Sequence, residues 1–424
     1  SKLNKGGGAL VMSKDGRNLY LLSGGQISKV DMNSGQLKGM SYNAEFEWKK
    51  PEERAYLFDH VWQQVVDKFY DPTIHNIDWA FYKKEYARFL PYITNNYDFA
   101  EMLAELLGEL NASHTGASYK GGGSSSQTAA LGVFYDETFD GDGLKNKEIL
   151  EKGPLDLTSG KIKPGMIIRK INNQEIKKGQ DYFQILEGLS GKRVMLTIYD
   201  PSAKKEWEEY VKPTTYGNQN GLLYNRWVKQ RQEMVEKLSN GKIGYVHVKS
   251  MDSPSFRKVY SEILGKYRNK EAIIVDTRYN GGGWLHEDLL HLLSGKKYAE
   301  FVPRGQFIGE DPFTQWNKPS AVLVSESNYS NAHGFPWAYK ELGLGKVIGM
   351  PVPGTMTAVW WETLMDPSLV FGIPQVGMKD NQGRILENMQ LEPDIKVTND
   401  PASAMKGRDL QLEAAVESLM KEIK

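Results

Sequence analysis

Two short apolar runs decide most of what this chain can fold into. Ala272-Ile273-Ile274-Val275-Asp276 and Ala321-Val322-Leu323-Val324-Ser325 are unbroken rather than alternating, the pattern of strands covered on both faces. Each passes through a polar turn into a helical pattern, near residues 284–293 and 335–342. With a further strand at 242–248, that order predicts an α/β core over residues 215–424, built on a mainly parallel sheet. At 424 residues the chain exceeds one ordinary hydrophobic core, so more domains are expected before it.

The first forty residues read as four strands with turns at Asp15-Gly16, Gly24-Gly25 and Asn33-Ser34-Gly35, strong hairpin signals. Four short strands in a row make one propeller-like blade (1–43), and a lone blade cannot bury its own faces. An independent meander packed on the next domain fits equally well. From about residue 51 the period becomes helical. Phe58, Val61, Trp62, Val65 and Phe69 share a face, and Asp71-Pro72 ends the segment. A second helix is expected from Asp98, with Glu101 closing a capping box and Phe99, Met102, Leu103, Leu106, Leu107 and Leu110 on its buried side. It ends just before Ser113-His114. This helical subdomain (44–125) closes on the linker-like Gly121-Gly122-Gly123-Ser124-Ser125-Ser126.

Residues 126–214 read as a β-rich insert. Leu131-Gly132-Val133-Phe134 opens it, Lys163-Pro164-Gly165 turns into a strand ending at Asn172-Asn173, a helix is expected near 182–189, and a strand at 193–198 closes it. This order resembles a PDZ domain, which implies capture of extended peptides by strand addition, with 131–134 as the receiving edge. An insert that only positions its neighbours is the plain alternative.

Composition excludes several classes of function. Lys plus Arg and Asp plus Glu both total 53, so no global field favours nucleic acid. No apolar run is long enough for a membrane span. The chain has no cysteine, which removes disulfides, thiol catalysis and cysteine-ligated zinc, and fits an exported, periplasmic protein as well as a cytosolic one. The first residue is Ser1, so a processed or truncated product is one reading. His286 and His291 are five apart, about 140° around a helix, so they do not share a metal-binding face. His75 and His247 have no partner signature, and no metal or organic cofactor is expected.

Ser330 follows a buried strand by the turn Glu326-Ser327-Asn328-Tyr329 and precedes a helix expected to hold Pro336 in its first turn. Such an elbow holds a hydroxyl rigidly where helix amides can meet an oxyanion. Spacing alone leaves Ser325 and Ser327 as competitors, and an N-capping serine is the everyday alternative. The run Asp276-Thr277-Arg278-Tyr279-Asn280-Gly281-Gly282-Gly283 lets backbone approach a ligand closely. It lacks the Gly-Lys-Ser/Thr ending of a phosphate loop. His333, three residues after Ser330, is a candidate substrate contact or alternative base.

Asp276-Thr277-Arg278-Tyr279-Asn280-Gly281-Gly282-Gly283 resembles the Asp-x-Arg-x-Asn-x-Gly-Gly signature of the tail-specific, C-terminal processing peptidases. Ser113-His114, Ser330-Asn331 and Glu387-Asn388, in that order, are similar to the tricorn branch of that family. The resemblance implies a multi-domain serine peptidase with a Ser-His-Ser-Glu tetrad. Ser330 is then the nucleophile, His114 the base, Ser113 the relay and Glu387 its anchor, with Gly282 and Asn331 giving oxyanion N–H groups. Gly281, Gly283, His333 and Glu300 are the expected substrate contacts. The tricorn enzymes carry Asp after the nucleophile where this chain has Asn331. The resemblance also implies a peptide or protein substrate and a homo-oligomer. A catalytically inactive scaffold that binds peptides through the insert is the alternative.

Overall fold

The computed structural model describes residues 8–43, 47, 49–121, 127–158 and 160–423; Gly122–Ser126, read above as a linker, lies outside them. The chain divides into two units, residues 1–56 and 57–424. In the first, β1 (Ala9–Met12), β2 (Leu19–Ser23), β3 (Gln26–Val30) and β4 (Leu37–Met40) form a four-stranded antiparallel sheet in sequence order. Gly16, Gly24 and Gly25 turn its hairpins at positive φ, which glycine adopts without a Cβ penalty. Leu21 and Val30 are buried, whereas Leu10, Val11, Met12 and Met40 are each about half exposed.

Helix α1 (Lys50–Lys68) begins in the first unit and continues into the second, which then adds α2 (Trp79–Ala87) and α3 (Asn96–Gly108). Helix α3 starts two residues earlier than expected. Asn95, not Asp98, is its cap, accepting the Asp98 N–H at 2.9 Å. Phe58, Val61, Val65, Phe99, Leu103, Leu106 and Leu107 close one core with Leu369, Phe371 and Ile373. Strand β5 (Gly116–Tyr119) follows and pairs with a hairpin from much later in the chain.

The insert contributes β6 (Ala129–Ala130), β7 (Val133–Tyr135), β8 (Leu144–Ile149), β9 (Ile167–Ile171), β10 (Gln174–Glu175), β11 (Val194–Asp200), β12 (Lys205–Val211) and β13 (Thr214–Thr215). Its main sheet runs β12-β11-β9-β8-β7 with β10 on β9, while β6 and β13 pair antiparallel where the chain enters and leaves. Gly165 turns into β9, and Asn172 and Asn173 turn out of it at positive φ. The helix expected at 182–189 is a single 3-10 turn, Gln184–Leu186. Gly188, at φ 65°, breaks it off once Leu186 is buried.

Helix α4 (Tyr216–Leu238) leads into the core. There β14 (Ile243–His247), β15 (Ala272–Asp276), β18 (Ser320–Val324), β19 (Lys346–Gly349) and β22 (Ile395–Lys396) form a five-stranded sheet in which every pairing is parallel. Between them come α5 (Ser253–Ser261), α6 (His286–Leu293), the hairpin β16 (Ala299–Phe301) and β17 (Gly309–Asp311), and α7 (Asn331–Glu341). Every residue of β14, β15 and β18 is buried. Val246, Ile273, Val275 and Val322 pack into one cluster with residues of α5, α6 and α7, and Tyr245, Ile274, Leu323 and Ile348 into another with α4 and α9 (Leu410–Glu422). The hairpin β20 (Thr357–Thr363) and β21 (Leu369–Gly377) carries β5, and α8 (Pro401–Met405) precedes α9. Among the described residues no helix is long and apolar enough to cross a membrane.

Candidate active site

Ser330 stands where β18 turns into α7. Its backbone is held at φ 56° and ψ −125°, a sparsely populated region that costs about 1–3 kcal/mol and persists only when its surroundings enforce it. The enforcement is visible. Ser330 N–H donates to Thr355 Oγ1 at 2.8 Å, and Tyr329 N–H donates to the Asn280 carbonyl at 3.0 Å. Asn328, fully buried, ties the turn together: its Oδ1 accepts from the Ser325 N–H and hydroxyl, and its Nδ2 donates to Thr277 Oγ1 and the Ala332 carbonyl. Pro336 lies in the second turn of α7, not the first, because the helix already begins at Asn331. A proline there cannot donate to the Ala332 carbonyl, and Asn328 supplies the missing donor. Ser325 is buried and its hydroxyl is committed to Asn328, while Ser327 does not line the cleft that Ser330 faces.

That cleft has a volume of about 340 Å³, and His114, Gly281, Gly283, Trp284 and Asn331 also line it. His114 sits between α3 and β5 at φ 62°. Its Nδ1 lies 2.8 Å from Ser113 Oγ and 3.0 Å from Thr357 Oγ1. The Ser113 hydroxyl donates to Glu387 Oε2 at 3.0 Å, and the Ser113 N–H donates to Oε1 at 2.5 Å. A hydroxyl that donates to a carboxylate has its lone pairs left for the imidazole. The Nδ1 of His114 is thereby the protonated nitrogen and Nε2 the free one. Tyr329 braces the ring from the side, centroids 4.8 Å apart, and its hydroxyl accepts the His114 N–H at 2.6 Å.

Burial governs the charges here. It pulls the His114 imidazole below its ordinary value and keeps it neutral. It pushes the Glu387 carboxyl up, against the opposing pull of the Ser113 N–H and hydroxyl. No hydrogen bond joins Ser330 Oγ to His114 among the described residues, although both line the cleft.

The glycine run requires a correction. Gly282 N–H donates to Asn280 Oδ1 at 2.8 Å, so it is spent inside the loop rather than offered to an oxyanion. Gly282 serves close approach instead: at φ 95° a Cβ would meet Ser330 Cβ at 2.6 Å and the Tyr329 carbonyl at 2.8 Å. Asn331 is different. Its N–H opens α7 beside Ser330, while its buried side chain accepts from Leu285 N–H and His286 N–H and meets His286 Nδ1 at 2.8 Å. Two further expectations fail. His333 is fully buried, pulled down to about 4 by that burial, and does not line the cleft. Glu300 lies on the β16–β17 hairpin, paired with Lys297 and outside the cleft.

The charged part of the glycine-run motif is structural. The Arg278 guanidinium, 1% exposed, bonds both Asp276 oxygens, both Asp409 oxygens and Gln411 Oε1. His247 is held by Tyr224 and the Arg278 carbonyl, and His75 by Tyr70 and the Leu110 carbonyl. Among the described residues no group of His, Cys, Asp or Glu is placed to hold a metal ion. Thr357, Tyr329, Thr355 and Asn280 are the site residues that sequence reasoning missed. Thr357 is 243 positions from His114, and no local pattern signals a threonine that only the fold brings there.

Residues 242–397 match Peptidase family S41, and residues 50–108 match the Tricorn protease C1 domain. Tricorn protease homolog 1 of Streptomyces coelicolor is 25% identical over 379 residues, covering 87% of this chain and 35% of its own. Tricorn protease of Thermoplasma acidophilum is 23% identical over 386 residues, covering 88% and 35%. The chain thus spans about a third of the length of these relatives. In fold, the crystal structure of the tricorn protease superposes with a TM-score of 0.84 at 19% identity, over 98% of this chain and 41% of that one. In sequence and in fold the chain is thus similar to the tricorn-like peptidases, with a Peptidase family S41 match over residues 242–397 and a Tricorn protease C1 match over residues 50–108.

Proposed function

We propose that this protein hydrolyses peptide bonds of proteins or oligopeptides through an acyl-enzyme, with Ser330 as nucleophile. The observation that carries the reading is the unbroken chain Glu387–Ser113–His114, ending in the cleft that Ser330 faces from a strained turn. In the first step His114 Nε2 takes the Ser330 hydroxyl proton as Oγ bonds to the substrate carbonyl carbon. The C–N bond breaks, and the same proton leaves on the amine. Water then attacks the ester, giving its proton to His114, and Ser330 regains a proton as the acid departs. Glu387, through Ser113, steadies the imidazolium of each transfer, and Thr357 holds the ring from a second direction. The Asn331 N–H is the oxyanion donor. The open Ser330–His114 pair is the free state, since catalytic hydrogen bonds tighten on substrate binding.

Residues 1–43 are the end of a propeller-like array, 44–125 carry the base, 126–214 form a PDZ-like module and 215–424 carry the nucleophile. The exposed side of β7, which among the described residues pairs only with β8, borders a groove of about 560 Å³ lined by Leu131, Val133 and Ile176. That is the geometry of peptide capture by strand addition. The assembly is a homo-oligomer, with a peptide or protein as substrate.

Cleavage of an internally quenched peptide library tests the reading. Wild-type protein should release fluorescence, and Ser330→Ala should reduce turnover by at least about a thousandfold. Its melting temperature should hardly move, because the residue is half-buried and packs little. Equal turnover by both proteins would overturn the assignment. Peptide binding without turnover by either would favour the inactive scaffold.

A further inference from the structure

Beside the catalytic loop, but outside the cleft, α4 and the carboxyl ends of β14 and β15 enclose a second cavity of about 620 Å³. Tyr224, Trp227 and Tyr279 supply three aromatic walls and Leu223 an aliphatic one. The floor is His247, whose two ring nitrogens are already spent on Tyr224 and the Arg278 carbonyl. The floor therefore has no polar group left to offer. Lys249 stands at the rim with its Nζ 4.7 Å from the Tyr224 ring centroid, and it makes no ion pair among the described residues. Among the described residues no Asp or Glu lines the cavity. Its chemistry suits a bulky apolar or aromatic side chain with negative charge beside it.

Position says what would bring such a side chain there. Tyr279 is two residues from Gly281, which lines the catalytic cleft, so their Cα atoms are at most about 7 Å apart. At the other end Arg226 lines the cavity and lies 5.6 Å over the ring of Phe134, on the open edge strand β7. The cavity thus occupies the interval between the β7 groove and the cleft, with one side chain at each junction. Tyr279 is 63% exposed and held at φ 64°, and its ring meets Trp227 edge-on with centroids 6.2 Å apart.

We propose that this aromatic cavity is a substrate subsite. It takes one bulky apolar or aromatic side chain, preferably next to an acidic residue, from an extended polypeptide that runs from the β7 edge to Ser330. The proposal rests on the peptidase reading and narrows its substrate class to unfolded segments that carry such a residue at a fixed distance from the scissile bond.

The test uses the full chain with Ser330→Ala, so that binding is read without turnover. Fluorescein-labelled twelve-residue peptides of Gly, Ser and Ala carry one Phe walked through every position, with and without an adjacent Asp, and are titrated by anisotropy. One Phe register should bind about tenfold tighter than the Phe-free peptide, the scale of removing one such side chain from water. Tyr279→Asn, which tolerates the left-handed backbone, and Leu223→Glu on α4 should each abolish that gain. Lys249→Glu should reverse only the benefit of the Asp. Circular dichroism melts of all variants report whether the fold is kept. A gain at no register, or gains that survive both Tyr279→Asn and Leu223→Glu, would overturn the subsite. Absence of peptide hydrolysis by the wild type would instead sink the peptidase reading and leave this binding result standing.

Discussion

His114 has three neighbours that fix what it can do: Ser113 and Thr357 at Nδ1 and Tyr329 against the ring. A base must be neutral to accept a proton, and burial lowers this imidazole below the ordinary value near 6.5. As pH falls through the lowered pKa, His114 becomes charged and kcat/KM is lost; above it the profile is flat. The acid limb, measured on a quenched peptide, should therefore fall below pH 6.5, and His114→Ala should remove activity altogether. A limb above 6.5 would mean a charged neighbour, not burial, sets the base. The proposed relay makes a second demand. Ser113→Ala and Glu387→Gln should each lower kcat by about a hundredfold, with KM changing less. The double variant should be scarcely worse than the poorer single one, since groups acting as a unit are non-additive. Multiplicative losses would show that Ser113 and Glu387 act separately. Thr357→Val should cost less than Ser113→Ala, because Thr357 has no bond to the carboxylate.

Among the elements, the β15 end and its glycine turn support the loop that carries Ser330. Arg278 bridges Asp276 and Asp409 at a position sealed from water, and Arg231 also reaches Asp409. Removing one partner of a buried pair strands the others, at a cost of about 3–5 kcal/mol. Arg278→Met should show that loss in urea denaturation, and a change under 1 kcal/mol would mean the cluster is not holding the loop. These elements were also the most legible in the sequence. The unbroken runs of β15 and β18 announce strands buried on both faces, and the strand-to-turn pattern before Ser330 announces the elbow. Local turn chemistry was harder to weigh: Asn95 outcompeted Asp98 as cap, and Gly188 reduced an expected helix to a single turn. Least legible were groups that only tertiary packing brings in. Thr357 and Tyr329 meet His114 from distant segments, Gly282 N–H turns inward to Asn280, and His333 sits in the core although its spacing from Ser330 suggested the cleft.

For the whole molecule, every residue of the site and of the aromatic cavity falls within residues 57–424, although Ser113 and His114 come from one side of the insert and Ser330 and Glu387 from the other. A site divided over some 270 positions exists only when α3, β18 and the loop after β21 are assembled together. The most direct measurement of that claim is mapping of a fluorophosphonate adduct by mass spectrometry on the folded chain. One adduct per chain, on Ser330, should form, and both Ser330→Ala and His114→Ala should abolish it. An adduct on Ser325 or Ser327, or labelling that persists in either variant, would contradict the account.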